Sequence, residues 1–429
     1  MERYDFIIIG ASVAGSSTAV HLASKGNRVL LIDRCTFPRD RLSTHFMWPR
    51  GVSYLNRLGV MESIAKKTPT FREMHISVEE IQLSGAVPVE HVKARFEQLH
   101  HNADGATDRY CGPRRYFLDE VLLKKAEEAG AEIRQNVTFH SVIEEHGRVV
   151  GINAVTAEGT LFSVRAPLVI GADGKKSAFA DAVGAAVISQ QEESTYAWFG
   201  YYSGITCEGL RIKNRGRMGT ALFPTSDGTH MVLAYGPGAW WKAFSTQPEA
   251  NFQQTIAFCD SELHEMMPRA RREQPFKGCN KMVAFKRENT GPGWVLIGDA
   301  ASFKDQVTAM GMTHALRDAE LLSMYLNNAM QGSQSLDEAL TAFRRIREAD
   351  YNRYYDFVCQ TARLTLKNAD QLDGIRQIAR CQQGTNNFLA QFGDTLPFEQ
   401  QPPAQPAAVS TPLNRSTYDK RGYGVPLFG

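Results

Sequence analysis

Apolar residues in this chain follow two rhythms. Residues 4 to 10 (YDFIIIG) form a short β-branched run that ends in glycine, the pattern of a buried parallel strand. Residues 14 to 25 have helical composition and stop at Gly26, a residue suited to the left-handed position after a helix end. Residues 28 to 33 (RVLLID) supply a second strand, so the chain is predicted to start with one βαβ unit. Similar runs recur at 168 to 174 (LVIGADG) and 293 to 300 (GWVLIGDA), each closing on Gly and Asp. Between 115 and 130, residues Phe117, Leu118, Val121, Leu122 and Ala126 mark a helical stripe closed by Gly130. Strands are expected at 132 to 137, 149 to 156 and 161 to 165, and a helix from about Met312 to Asn328.

The second rhythm is alternation. Residues 194 to 236 alternate aromatic, small and polar side chains between turn signals at 226 to 228 and 236 to 238, which predicts an antiparallel sheet. Residues 336 to 366 and 370 to 393 have helical character, and a Pro-, Gln- and Ser-rich stretch follows from 398, which predicts a poorly ordered tail. The fold class expected is α/β, with a Rossmann-like nucleotide-binding domain, an inserted antiparallel-sheet substrate domain and a C-terminal helical region. The boundaries drawn are 1–75, 105–190 and 285–330 for the discontinuous nucleotide domain, and 76–104 with 191–284 for the sheet domain. Residues 331–397 form the C-terminal helices and 398–429 the tail. A length of 429 residues accommodates about two to three domains.

Composition narrows the function. Lys+Arg 48 against Asp+Glu 46 gives +2, with no basic footprint for nucleic acid and no polybasic block for an anionic membrane. The apolar run near the N-terminus follows Glu2 and Asp5 rather than basic residues and is broken by Gly and Ser, which argues against a signal peptide or an integral membrane segment. Seven scattered cysteines without a C-x-x-C pair argue against a disulfide framework or a metal site, and fit reduced thiols in the cytoplasm.

Gly10, Ser12 and Gly15 occupy the positions of G-x-G-x-x-G, with serine in the middle. Gly10 permits the tight turn, the small Ser12 lets pyrophosphate approach the backbone, and Gly15 lets the helix pack on the strand, with Ala14 beside it. The phosphate then rests on the helix N-terminus. Asp33, followed by Arg34, closes the second strand, where an acid accepts from ribose hydroxyls. Asp173 and the pair Gly298–Asp299 lie at the carboxyl ends of two further strands, where α/β folds collect ligands. A helix opening at Gly311 and Met312 would aim its amides at a flavin N1/O2 edge. An enzyme using NAD alone has no use for the second strand-end acid, so these sites together specify FAD.

With these pieces, the chain resembles the FAD-dependent oxidoreductases that share the p-hydroxybenzoate hydroxylase, geranylgeranyl reductase and flavin halogenase architecture, whose nucleotide domain is of the GR2 type. The resemblance runs from residue 4 to about 325, through V-L-L-I-D-R-x-x-F-P-R-D (29 to 40), R-R-Y-F-L-D (114 to 119), the Asp173–Gly174 and Gly298–Asp299 motifs and R-D-A-E-L-L (317 to 322). It implies that Arg115 contacts FAD. It also implies monooxygenation of a small aromatic or polycyclic specialised metabolite by dioxygen through a flavin C4a-hydroperoxide. A dehydrogenase or reductase acting on C–C or C–N bonds is the alternative, and a halogenase is less favoured because no W-x-W-x-I-P motif is present. Ala180 stands where hydroxylases carry an arginine that organises the nicotinamide region, so NAD(P)H could act directly or through a partner flavin reductase. L-S-T-H (42 to 45) replaces the Cys-Gly of geranylgeranyl reductases. His45 is a catalytic candidate on the loop after the second strand, against a histidine satisfied by loop backbone. Lys304 is a second, stabilising peroxide or flavin charge, against a surface cation. Asp305 and His314 flank the same helix start. The aromatics Trp198, Phe199, Tyr201, Tyr202 and Phe223 belong to the sheet, where alternation directs only half of them to a pocket face.

Overall fold

The computed structural model describes residues 1–192 and 194–396; the expected tail from 398 lies outside the described residues. The apolar runs pair as a six-stranded sheet in the order Thr290–Gly291, Trp294–Leu296, Leu168–Gly171, Phe6–Ile9, Val29–Asp33, Glu132–Gln135. Every pair is parallel except the short edge hairpin Thr290–Gly291 with Trp294–Leu296. The register sets Ile9 beside Gly171 and Gly171 beside Leu296, so three carboxyl ends open at one edge. The helix Val13–Ala23 follows the first of these ends and packs against the helices Arg115–Glu128 and Gly311–Met330. Gly26 takes the left-handed conformation with φ 84°, as the helix end required.

The meander Thr138–Glu145, Arg148–Val155 and Leu161–Arg165 forms a separate small sheet with Glu2–Arg3. A larger sheet runs Arg271–Arg272, Thr195–Ser203, His230–Pro237, Met218–Pro224, Leu210–Arg215, Met74–Val78, Ile81–Gly85. It is antiparallel except where Leu210–Arg215 runs parallel to Met74–Val78. Only part of the segment 76–104 enters this sheet. The rest forms the helix Val89–His100, whose buried Val92, Phe96 and Leu99 recur at helical spacing.

C-terminally, the helix Leu336–Ala362 opens with a Ser335–Glu338 capping box and lies along Gly311–Met330. A buried ionic network joins the two. Asp350 accepts from Arg50 (2.9 Å), Arg317 (2.6 Å) and Arg95, while Asp318 accepts from Arg317 (2.6 Å) and Arg347 (3.0 Å). Asp394 accepts from Arg50 at 2.6 Å and from His314 at 2.9 Å. These charges come from five elements or segments far apart in the chain, and they pin the C-terminal helices to the nucleotide-binding side.

Candidate active site

Two contacts shape the nucleotide cradle. Gly10 has φ 103°, and a Cβ there would stand 2.5 Å from the Ala172 carbonyl oxygen; a Cβ on Gly15 would stand 1.8 Å from the Gly10 carbonyl oxygen. Glycine at both positions is therefore a steric requirement for laying helix on strand. Asp33 accepts from the amides of Ala11 (2.8 Å) and Cys35 (2.9 Å), which hold its carboxylate over the turn. Ser12 donates to Asp119 at 2.7 Å and accepts from Arg115 at 2.6 Å, and Arg115 closes the triangle with Nε and Nη2 on Asp119 (2.9 and 2.8 Å). Burial opposes the Arg115 charge, but Asp119 outweighs it and holds the guanidinium above its ordinary pKa.

Arg34 is exposed and has no hydrogen bond or ion pair among the described residues. Arg39 turns onto Asp33 at 3.3 Å instead. Arg41 lies near Arg39 and Arg115, and burial together with those two charges lowers its pKa. Neither Arg39 nor Arg41 was singled out from the sequence, although F-P-R-D-R carries both. This cationic cluster beside the glycine turn is what a pyrophosphate requires.

The strand-end acids differ. Asp173 folds back into its own turn, accepting from Ser177 Oγ at 2.5 Å and the Phe179 amide at 3.2 Å. Asp299 is half-buried and makes no side-chain hydrogen bond to a described residue. Burial raises its pKa against Lys304, Arg115, Lys175 and Arg41. Gly298, with φ 56°, donates its amide to Asp318 at 3.0 Å. The helix Gly311–Met330 starts after Met310; open space lies where a Gly311 Cβ would be, and Met312 is buried. Its first amides lack intrahelical partners. The glycine cradle, the cationic cluster, the unsatisfied Asp299 carboxylate and this helix start fit the adenine dinucleotide and flavin ends of FAD.

His45 is buried at φ 56°, with Nε2 on the Tyr201 hydroxyl rather than on loop backbone, and with Nδ1 unpartnered. Arg114 covers the Tyr201 ring at 4.1 Å. Burial, aided by Arg115, pushes His45 down to about 3, so the ring is neutral. Lys304 is buried rather than a surface cation: its ammonium donates to Tyr351 Oη at 3.1 Å, and burial with Arg317 lowers it to about 7. Asp305 is taken up by the Thr195 amide and hydroxyl (2.7 and 2.8 Å) and the Val307 amide, and His314 by Asp394.

A cavity of about 710 Å³ lies between the larger sheet and the C-terminal helices, bounded at one end by residues 306 to 309, just before Gly311. Of the five aromatics named from the sequence, only Phe223 lines it. Trp198 stacks on Trp241 and Phe276 on the opposite sheet face, and Tyr196 and Tyr202 pack there too. Thr44, Phe46 and Trp48 enter the lining from the loop that carries His45.

Fold and cradle together define a dinucleotide-binding flavoprotein of the oxidoreductase type. The chain belongs to the FAD binding domain family, which it matches over residues 3–357. It is 25% identical over 363 residues to squalene epoxidase 2 of Arabidopsis thaliana, covering 80% of this chain and 58% of that relative, so it spans less than two thirds of the plant enzyme's length. It is 24% identical over 362 residues to the digeranylgeranylglycerophospholipid reductase of Methanocella arvoryzae, covering 81% of this chain and 84% of the other. Among solved structures, the flavin-dependent brominase Bmp2 superposes with a TM-score of 0.74 at 19% identity (91% and 94% covered). PqsL of P. aeruginosa in complex with 2-aminobenzoylacetate gives 0.72 at 16% identity (88% and 100% covered). At these identities the superpositions establish the shared fold.

Proposed function

We propose that this protein is an FAD-dependent monooxygenase that hydroxylates or oxidises a small aromatic or polycyclic metabolite. The observation that carries the reading is the cavity, which at one end meets the loop 306–309, just before the helix start at Gly311 proposed to take the flavin, and is floored by a largely apolar sheet face. The apolar part of the cavity, walled by Ile76, Ile212, Ala221, Phe223 and Leu233, suits oxygen transfer because it keeps water from the reacting centre. Bound FAD supplies the reductive activation of dioxygen. Gly10, Ser12, Ala14, Gly15 and Asp33 hold its adenosine and pyrophosphate, with Arg39, Arg41 and Arg115 balancing the phosphate charge. Asp299 would accept from a sugar-chain hydroxyl, and the free amides at Gly311 and Met312 would stabilise negative charge on the flavin. His45 stays neutral, and its Nε2 is hydrogen-bonded to the Tyr201 hydroxyl, behind Thr44 and Phe46 of the cavity lining. Lys304 contributes positive charge behind Asp299.

Reducing equivalents come from NAD(P)H, and Ala180 favours delivery through a separate flavin reductase: it is fully buried in the helix Ala178–Ala182 and supplies no guanidinium at the position where the hydroxylases carry one. A cytoplasmic setting matches this supply and the seven free cysteines. No helix among the described residues is long and apolar enough to cross a membrane.

Turnover of candidate aromatics under oxygen-18 dioxygen tests the proposal. Label in the product is expected, and its absence would favour dehydrogenation or reduction of C–C or C–N bonds, the second reading, which the archaeal reductase relative supports. Stopped-flow reduction by NADH and NADPH tests the supply route: fast direct reduction would overturn the partner reductase.

A further inference from the structure

We propose that the cavity ends in a subsite for an anionic group, so that the substrate is an apolar body bearing a carboxylate or phosphate far from the flavin-side loop. This rests on the reading that the cavity holds the substrate. Along the sheet face that floors it, one row of register partners is apolar: Phe199, Leu233, Ala221, Ile212, Ile76. The next row reads Ala197, Tyr235, Gly219, Asn214, Val78, and polarity begins here. Tyr235 donates to Asn214 Oδ1, and Asn214 Nδ2 donates to the Ser77 carbonyl at 3.2 Å. Past this row the hairpin turn brings Gly216 and Arg217 into the lining.

Arg217 organises that end. Its Nε donates to the Leu364 carbonyl at 3.0 Å and its Nη2 to the Arg363 carbonyl at 3.1 Å. These bonds tie down the segment between the helices Leu336–Ala362 and Ala369–Ala379, where Leu364 has φ 47°. The segment presents Arg363 and Lys367 to the cavity. Lys367 is exposed to the cavity mouth and has no hydrogen bond or ion pair to a described residue. Two carboxylates also line the cavity. Glu79 is taken up by the Gly216 amide at 2.9 Å, and Asp356 stands on the long helix without an ion pair to a described residue.

The cavity lining thus carries three cations against two carboxylates, a surplus of one positive charge, and with Arg217 committed to backbone carbonyls Lys367 is the cation placed to meet a ligand. The strand Met218–Pro224 lies two strands from Thr195–Ser203, and Leu210–Arg215 lies three. At about 4.8 Å per strand, the cationic end stands roughly 10–14 Å from Thr195, which abuts the flavin-side loop through Asp305. An apolar body of that length with an acidic terminus fills both ends at once.

The test is calorimetric titration of the FAD-loaded enzyme with decanoate, decyl phosphate and decanol at low salt. At least one anion is expected to bind about tenfold tighter than decanol, and Lys367→Met is expected to remove that advantage while leaving decanol within about twofold. The two anions separate a carboxylate subsite from a phosphate subsite. Equal affinity for all three probes, no binding of either anion, or an advantage that survives Lys367→Met would overturn the proposal. Lys367 is exposed, and a thermal melt checks that the variant folds. Binding is read without reductant or dioxygen. Failure here therefore leaves oxygenation standing, and unlabelled product in the oxygen-18 experiment leaves this subsite standing.

Discussion

Lys304→Met preserves the length of a buried side chain and removes its charge. In the folded protein the Lys304 pKa falls from 10.5 to about 7, chiefly through burial, then through Arg317 and Arg347, against the pull of Asp299 and Asp318. Because the folded value lies below the unfolded one, the unfolded chain binds the extra proton between about pH 7 and pH 10.5, and stability rises with pH across that window. At about 1.36 kcal/mol per pKa unit, burying the charged lysine costs about 5 kcal/mol below pH 7, and about 2 kcal/mol of that is relieved between pH 7 and pH 9. For 429 residues, an unfolding entropy of roughly 2.1 cal/mol/K each gives about 0.9 kcal/mol/K, so the relief corresponds to ~2–3 °C in Tm. Calorimetric melts of the apo-protein and of Lys304→Met, run across that pH range, should show the wild type gaining this increment over the variant. Parallel pH curves would refute the reasoning, since they would mean that Lys304 keeps its charge in the fold. Loading FAD should flatten the wild-type slope, because a negative flavin near Lys304 returns its pKa toward the ordinary range.

Gly15→Ala forces a Cβ to within 1.8 Å of the Gly10 carbonyl, so the helix must lift from the strand; FAD affinity, followed by quenching of flavin fluorescence, should fall at least about tenfold. Asp350→Asn leaves Arg50, Arg95 and Arg317 without their shared buried charge, and a loss of about 3–5 kcal/mol in denaturant unfolding is expected. Those arginines hold the Asp350 carboxyl well below the usual range despite burial, so its contribution should persist at mildly acidic pH and vanish only as pH falls through the depressed value. Asp299→Asn should weaken FAD binding by about tenfold without lowering the apo-protein Tm, because the carboxylate makes no hydrogen bond that holds the fold; unchanged affinity would remove Asp299 from the cofactor site.

Local pattern was enough for the parallel sheet and the cradle. Strand runs such as 6 to 9 and 168 to 171, the positive-φ glycines and the acid ending Val29–Asp33 each impose backbone or burial requirements that neighbouring residues alone reveal. Alternation likewise gave the antiparallel sheet, yet it could not say which face meets the substrate. Trp198 and Tyr202 point away from the cavity while Phe223 enters it, because a strand's two faces are told apart only by what packs on them. The same limit hid Arg39 and Arg41, whose role depends on a loop folding over Asp33, and the network of Arg50, Arg95, Arg317, Arg347, Asp350 and Asp394, whose members lie up to 344 residues apart. Lys304 shows the division most sharply. Its position before the helix Gly311–Met330 was legible, but whether it is a hydrated surface cation or a buried, half-neutral amine depends on the dielectric around it. That surrounding is made by Tyr351 and its neighbours on a helix that arrives from the far end of the chain. The nucleotide-binding framework is written in local signals, whereas the charge states and the cavity depend on everything that packs around a group, because solvation is a property of the whole surrounding.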